Sequence, residues 1–400
     1  MTPTYIYDAI RTPRGKAKKD GALHHVHPYE LLKQLYSALE SRNTLNPADI
    51  EDVLLGCVSQ FGEQAGNIAR ASLIYAGWPD HVPGLTLNRF CSSSLDATAY
   101  AADRISCGRT SAMISGGIES MSRVRMMSDQ PQWMTDPEWL QKVRGFPLGI
   151  GADLLASQEK FSREELDHYA LQSQKRALHA QDNSFFNKSL IAIDTPSGEI
   201  VNRDQAIRGG ISLEELAGLE PAFTDMGKAG MDDRALEHFS QLSVIQHQHT
   251  AGNSPGMVDG ASMLLLGNAS FADRLNKNAR AEIIDYRSYC GPVEEVLTGG
   301  SAAASELLKR NKLDPADLDL VEFNESFAGP TLKFIRDFQL DHSKVNVNGG
   351  AISLGHPMGA TGGMLIGTLI DELERRDKEL GMVAICGATG SGSAMLLKRI

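Results

Sequence analysis

Short, unbroken apolar runs alternate with stretches of helical spacing along this chain. Residues 5–10, 53–58, 85–88, 111–115, 261–266, 282–289, 318–323, 382–385 and 394–397 read as strands. The run Val53-Leu54-Leu55-Gly56-Cys57-Val58 lacks in–out alternation, as expected of a strand buried on both faces. Helical spacing covers 28–38, 64–75, 95–105, 163–180, 301–310 and 361–376. Leu95, Ala99, Ala102 and Ile105 form one such stripe, and Ser162-Arg163-Glu164-Glu165 reads as a capping box. A short strand at 344–347 is expected to run into the stretch 346–363, which carries six glycines, Pro357 and His356. Strand and helix in alternation predict an α/β fold.

The texture changes between about 124 and 250. Gln, Asp, Trp and Met become frequent, and helices are interleaved with irregular chain. This span reads as an excursion between two α/β halves, the first covering 1–123 and about 251–278, the second 279–400. The halves resemble each other. Asn46-Pro47-Ala48-Asp49-Ile50-Glu51-Asp52-Val53 matches Asp314-Pro315-Ala316-Asp317-Leu318-Asp319-Leu320-Val321. Each copy continues as strand, helix, small-residue elbow and long helix, then a glycine-bearing strand end at Gly116-Gly117 or Cys386-Gly387. The first elbow carries Cys91 and the second His356. A duplicated module packed face to face, with a site between equivalent elbows, is the expected arrangement.

Composition narrows the function classes. The chain has 400 residues, 42% of them hydrophobic, and a formal net charge of −11. That argues against a broad nucleic-acid footprint. No apolar run reaches membrane-span length, and neither a signal peptide nor a lipidation motif is evident, so a cytoplasmic protein is expected. Five cysteines stand at 57, 91, 107, 290 and 386 without a CxxC pair, which fits reduced thiols. Cys57, Cys107 and Cys290 read as structural. His24, His25 and His27 read as surface histidines, not a metal site. Nothing marks His247 or His249 as ligands.

Cys91 sits where a strand meets a helix N-terminus, a position that favours a thiolate over a thiol. His356 at the equivalent elbow is a candidate base. Cys386 and Asn324 also fall at strand ends, the second placed to orient a water or hold an oxyanion. Two thiols and an imidazole converging on one point suit acyl transfer, one thiol carrying the acyl group and the other moving a proton to or from carbon. The glycines around His356 allow close approach of another backbone or a ligand.

With these residues in place the chain resembles the thiolases along nearly its whole length. The matching pieces are Asn88-Arg89-Phe90-Cys91-Ser92-Ser93, Gly116-Gly117-Ile118-Glu119-Ser120-Met121-Ser122, Asn324-Glu325-Ser326-Phe327-Ala328, Gly355-His356-Pro357 and Cys386-Gly387. Ser162 to Leu178 and Ala251-Gly252-Asn253-Ser254 also match. The resemblance implies a duplicated five-layered αβαβα fold, with 124–250 as an inserted loop domain covering the coenzyme A channel. It implies an acyl-enzyme on Cys91, His356 as base, Cys386 as the acid toward carbon, and Asn324 holding a water. The oxyanion holes would use His356 and the backbone N–H groups of Cys91 and Ala388. Ser254, Leu148, Arg208 and Met358 would contact CoA or the acyl chain. CoA is then a substrate, and no cofactor or metal is implied. The expected activity is reversible cleavage of 3-ketoacyl-CoA. An acetoacetyl-CoA-forming biosynthetic enzyme, or an acyl-CoA-binding protein with little turnover, are the alternatives. A decarboxylating ketoacyl synthase is disfavoured by Cys386 and Asn324. A homodimer or homotetramer is implied, with a β-oxidation complex as an option and 221–250 as its docking piece. The departures from the family pattern are Ser326, expected to be silent, and Ala388-Thr389, where alanine resists positive φ in the oxyanion loop. Pro147, Leu148 and Pro255 depart in the channel.

Overall fold

A computed structural model describes residues 2–400. Twelve strands form: β1 (Thr4–Arg11), β2 (Gly15–Lys16), β3 (Val53–Gly56), β4 (Gly84–Leu87), β5 (Ala112–Ser120), β6 (Ile193–Asp194), β7 (Ile200–Val201), β8 (Val258–Gly267), β9 (Ala281–Cys290), β10 (Leu320–Phe323), β11 (Leu380–Cys386) and β12 (Ser391–Arg399). Ten join one hydrogen-bonded path, β10-β11-β12-β9-β1-β8-β5-β3-β4, with β2 on β8. The first half runs β1-β8-β5-β3-β4 and the second β9-β12-β11-β10, the same order by position in each half. Parallel pairs stand in equivalent places, β3 with β5 and β10 with β11. The octapeptide repeat becomes equivalent single turns, Pro47–Asp49 and Pro315–Asp317, each leading into its strand. The halves meet through the pairs Thr4–Ile283, Tyr5–Glu282 and Ile6–Ala281.

The strands are apolar on both faces because each sheet is covered twice. Val53 and Leu55 face one core with the helix Pro28–Asn43, while Leu54 faces another. In β11, Met382 and Ala384 face the core of the second half, and Val383 and Ile385 the shared one. That shared core holds the helices Ser93–Ser106 and Thr361–Arg375 between the two sheets, giving five layers, αβαβα. Each fully buried Leu or Ile in it contributes roughly 1.5–3 kcal/mol of transfer free energy. The two central helices touch at their N-terminal ends. A Cβ on Gly362 would lie 2.4 Å from the Leu95 nitrogen, so only glycine permits this approach. The Gly363 N–H donates to Ser94 Oγ at 3.0 Å. The layering thus places the Cys91 and His356 elbows side by side.

Two local expectations are corrected. The strand β5 does not close at Gly116 but continues through both glycines to Ser120. The expected strand at 344–347 is a single turn, His342–Lys344, with one bridge from Val345 to Val321. Asn346 sits at φ 47, which breaks the strand. Its side-chain amide accepts from the Phe323 N–H at 2.9 Å and donates to the Phe323 carbonyl at 2.8 Å. It thereby supplies both bonds that a neighbouring strand would have made.

The span 124–250 contains the helices Leu148–Glu159 and Arg163–Asp182 and the β6–β7 hairpin. The capping box at Ser162 forms as expected. Among the described residues no helix is long and apolar enough to cross a membrane.

Candidate active site

Cys91 is set by a tight turn after β4. Asn88 Oδ1 accepts from the Phe90 N–H at 2.7 Å, and Phe90 lies at φ 49. Ser93 Oγ accepts from the Arg89 N–H at 2.9 Å and donates to the Phe90 carbonyl at 2.6 Å. The helix starts at Ser93, two residues past the thiol. Behind it, Asp96 forms an ion pair with Arg89 and accepts from Tyr286 and Ser393, joining this elbow to β9 and β12 of the other half.

His356 follows Gly355, whose φ of 94 requires glycine. Its N–H donates to the Gly256 carbonyl at 2.8 Å. Ring Nδ1 lies 2.7 Å from Thr361 Oγ1, and that hydroxyl donates to the Pro357 carbonyl at 3.0 Å. With that hydroxyl donating to the carbonyl, Oγ1 is an acceptor for an Nδ1–H, the tautomer adopted in the mechanism below. Nε2 is then the free acceptor, and it is buried with no partner. A buried carboxylate clamps the same loop. Glu119, at the end of β5, accepts from the N–H groups of Val58, Ser59 and Gly359 at 3.0 Å each, and from Gln64 Nε2 at 3.1 Å. Burial still raises its carboxyl above the usual range, against those donors.

Cys386 ends β11, and its thiol donates to the Leu297 carbonyl at 3.0 Å. Asn324 directly follows β10 and is buried; Nδ2 donates to Ser326 Oγ at 3.1 Å, and Oδ1 has no partner. Ser326, expected to be silent, takes part in this contact. Its hydroxyl holds the Asn324 amide and lines the cavity.

Cys91, His356 and Cys386 meet in one cavity of about 510 Å³, whose wall also includes Leu148, Ser254, Pro255 and Met358. Ser254 Oγ there is unpartnered. Asn324 stands one layer behind the wall, through Ser326. Arg208 is exposed and outside the cavity, donating to the Ala251 carbonyl at 3.3 Å. Among the described residues, neither the Cys91 nor the Ala388 N–H is engaged by a backbone or side-chain oxygen. The left-handed positions after Cys386 are Thr389 (φ 59) and Gly390 (φ 70), so the conflict expected at Ala388 does not arise.

The electrostatics work against the expected thiolate. Burial pushes the Cys91 thiol up to about 12, with smaller contributions from Cys386 and Glu119. Burial also pushes His356 down to about 4, helped by the Arg14 charge, and Cys386 up to about 11. Desolvation outweighs the helix terminus, so the resting site holds neutral thiols and a neutral imidazole. Proton transfer from Cys91 to Nε2 must then accompany attack on a substrate.

Further expectations change. The glycines of 346–363 do not line the cavity; Gly350 and Gly362 instead admit Glu325 and Leu95. Cys107 and Cys290 are exposed, and of the three thiols read as structural only Cys57 is buried. His247 and His249 join a carboxylate network in which Asp153 reaches both rings at 2.8 Å. Among the described residues no group of three or more His, Cys, Asp or Glu could hold a metal ion. Glu119, Glu325 and Thr361 are not singled out by spacing. Glu325, inside a quoted motif, accepts from Tyr169 and Ser173 at 2.8 Å and from the Ile352 N–H at 3.0 Å. An acid within an apolar strand end is the signal that could have marked both glutamates.

Thr361→Val should leave the fold intact while lowering kcat about 10-fold or more, since Nδ1–H loses its acceptor and the tautomer is no longer held. Thr361→Ser should restore the rate. Equal kcat for the Thr361→Val variant and the wild-type enzyme, at unchanged Tm, would remove the positioning role.

Residues 4–233 match the family model "Thiolase, N-terminal domain", and 277–399 match "Thiolase, C-terminal domain". A steroid 3-ketoacyl-CoA thiolase of Mycobacterium tuberculosis is 34% identical, covering 100% of this chain and 95% of that protein. A 3-ketoacyl-CoA thiolase of Yersinia pestis is 35% identical over 100% of both. The crystal structure of the Bacillus anthracis acetyl-CoA acetyltransferase superposes with a TM-score of 0.85 at 31% identity, over 100% of this chain and 99% of that one.

Proposed function

The chain belongs to the thiolase family of acyltransferases, and on that premise we propose that it cleaves 3-ketoacyl-CoA with CoA through an acyl-enzyme on Cys91. The observation that carries this reading is the convergence of Cys91, His356 and Cys386 in one apolar cavity.

In this reading His356 Nε2 takes the Cys91 proton as sulfur attacks the 3-keto carbon. The carbon–carbon bond breaks, leaving an acyl thioester on Cys91 and the enolate of acetyl-CoA. Cys386 gives its proton to the enolate carbon. Nε2, now protonated, faces the enolate oxygen together with a water held at Asn324 Oδ1. A second CoA thiol then takes the acyl group, with the Cys91 and Ala388 N–H groups supporting the tetrahedral intermediates. Neutral resting groups suit a reaction that must also run as a condensation, because each proton moves only when carbon or sulfur chemistry demands it. The degradative direction is the one proposed, and 124–250 is read as the cover of the CoA channel.

The test is a purified-enzyme assay. CoA-dependent loss of 3-ketoacyl-CoA absorbance, with acetyl-CoA and the shortened acyl-CoA formed in equal amounts, is the expected result. CoA binding with no turnover of any 3-ketoacyl-CoA would place the protein among acyl-CoA binders instead. A homo-oligomer is part of the same proposal, supported by the edge strand β4 with Leu85 half exposed beside the Cys91 turn.

A further inference from the structure

We propose that the cavity above Cys91 is built for a bulky apolar acyl group, so that 3-ketoacyl-CoAs with about ten carbons or a ring in the tail are the substrates and acetoacetyl-CoA is a poor one. This rests on the thiolase reading above and specifies its substrate class.

Seven of the chain's 14 methionines line this one cavity. They include Met126, Met127 and Met134, close in sequence, and Met226 and Met257 from farther along the chain. The remaining large apolar groups are Trp133, Phe146, Phe223 and Phe327 with leucines. Among the described residues no Asp, Glu, Lys or Arg lines it, and apart from the reacting groups its polar side chains are Ser254 and Ser326. A wall of this kind offers almost nothing to the amides of a pantetheine arm or to a nucleotide. It suits hydrocarbon. The volume of about 510 Å³ lies in the range that encloses a drug-sized ligand, whereas acetoacetyl-CoA leaves only an acetyl group on Cys91.

The walls differ in stiffness. The Phe223 ring packs where a Cβ on Gly149 would be, 2.2 Å from the ring, and stands edge-on to Phe327. Trp133 stands edge-on to Phe90, the residue before the nucleophile, at 6.1 Å between centroids. These contacts hold the aromatics in place. The methionines are unbranched and polarizable, and they reshape around a non-linear tail at little cost. Met126, Met226 and Met257 are also 46, 41 and 56% exposed, so the lining reaches solvent as an apolar rim. Exposed methionines clustered at one opening are what a hydrophobic entrance requires.

The test compares kcat/KM of the full chain, with saturating CoA, for acetoacetyl-CoA, 3-ketodecanoyl-CoA, 3-ketohexadecanoyl-CoA and 3-keto-5-cyclohexylpentanoyl-CoA. Each buried methylene is worth roughly fourfold. The ten-carbon and ring-bearing substrates should therefore exceed acetoacetyl-CoA about 100-fold or more. Met134→Trp should lower that ratio at least about tenfold by filling the wall. Acetoacetyl-CoA turned over within about threefold of the ten-carbon substrate would overturn the inference and leave the thiolase reading standing. If no thioester is cleaved, that reading fails, and calorimetry with decanoyl-CoA against acetyl-CoA decides the pocket. Tenfold tighter binding of the longer thioester supports it, and equal binding overturns it.

Discussion

Cys91→Ala should lower CoA-dependent cleavage roughly 10⁴-fold or more and remove the acyl-enzyme from intact-mass spectra. No other thiol in the chain shares its setting. Cys57 is buried, but it is not part of the cavity wall. Cys107 and Cys290 are exposed outside it. Cys386 is in the cavity, but its thiol donates to the Leu297 carbonyl, and burial holds it up at about 11, which suits an acid and not a nucleophile. The Cys91 turn is held by Asn88, Ser93 and Asp96, none of which touches the sulfur through a hydrogen bond, so the variant should fold normally. Unfolding by denaturant at an unchanged midpoint would confirm that. Trapping substrate without CoA should add one acyl mass to the wild type and none to the variant. An acyl mass retained in Cys91→Ala would move the nucleophile to Cys386 and reverse the assigned roles.

His356→Ala should cost about 10³–10⁴-fold near neutral pH, with a changed pH profile as its signature. In the wild type the imidazole is neutral above about 4 and the thiol protonated up to about 12. The rate should therefore hold level from about pH 5 to 10, and fall in acid as Nε2 takes up a proton. Without the imidazole, the thiol can react only through its rare anion. The variant's rate should then climb about tenfold per pH unit throughout that range. A flat profile in the variant would mean that another group removes the proton. Stability carries the same sign information. The folded site depresses His356 below the ordinary histidine value, so the unfolded chain binds the proton more readily. Wild-type stability is therefore lost as pH falls through the window from about 6.5 to about 4, and the alanine variant lacks this loss. The two Tm values should converge, or cross, in acid.

Much of the architecture could be read from the chain because it is local or repeated. Strands apolar on both faces announce sheets covered twice. The octapeptide copies at 46–53 and 314–321 mark equivalent turns, and from them the pairing of the Cys91 and His356 elbows follows. Cys386 and Asn324 could be read because each closes an apolar run. Asn346 escaped the pattern because its side chain imitates a neighbouring strand, which no periodicity registers. Ser326 looked neutral by size, yet it holds Asn324 through a hydroxyl that size does not describe.

The chain by itself determined the α/β class and the duplication, and it supplied the reading of an excursion at 124–250 and four candidate residues for the proposed chemistry. These depend on residue type and spacing, and such signals survive without coordinates. Only the tertiary structure decided the protonation of those residues, because desolvation depends on everything packed around a group. The helix terminus at Cys91 argues for a thiolate, and burial pushes the thiol the other way. Tertiary packing also decided that Glu119 would grip the His356 loop across 240 residues. It decided that methionines scattered from 121 to 358 would share one cavity. Side chains that distant in sequence become neighbours only when the layers close, so their joint chemistry is a property of the fold.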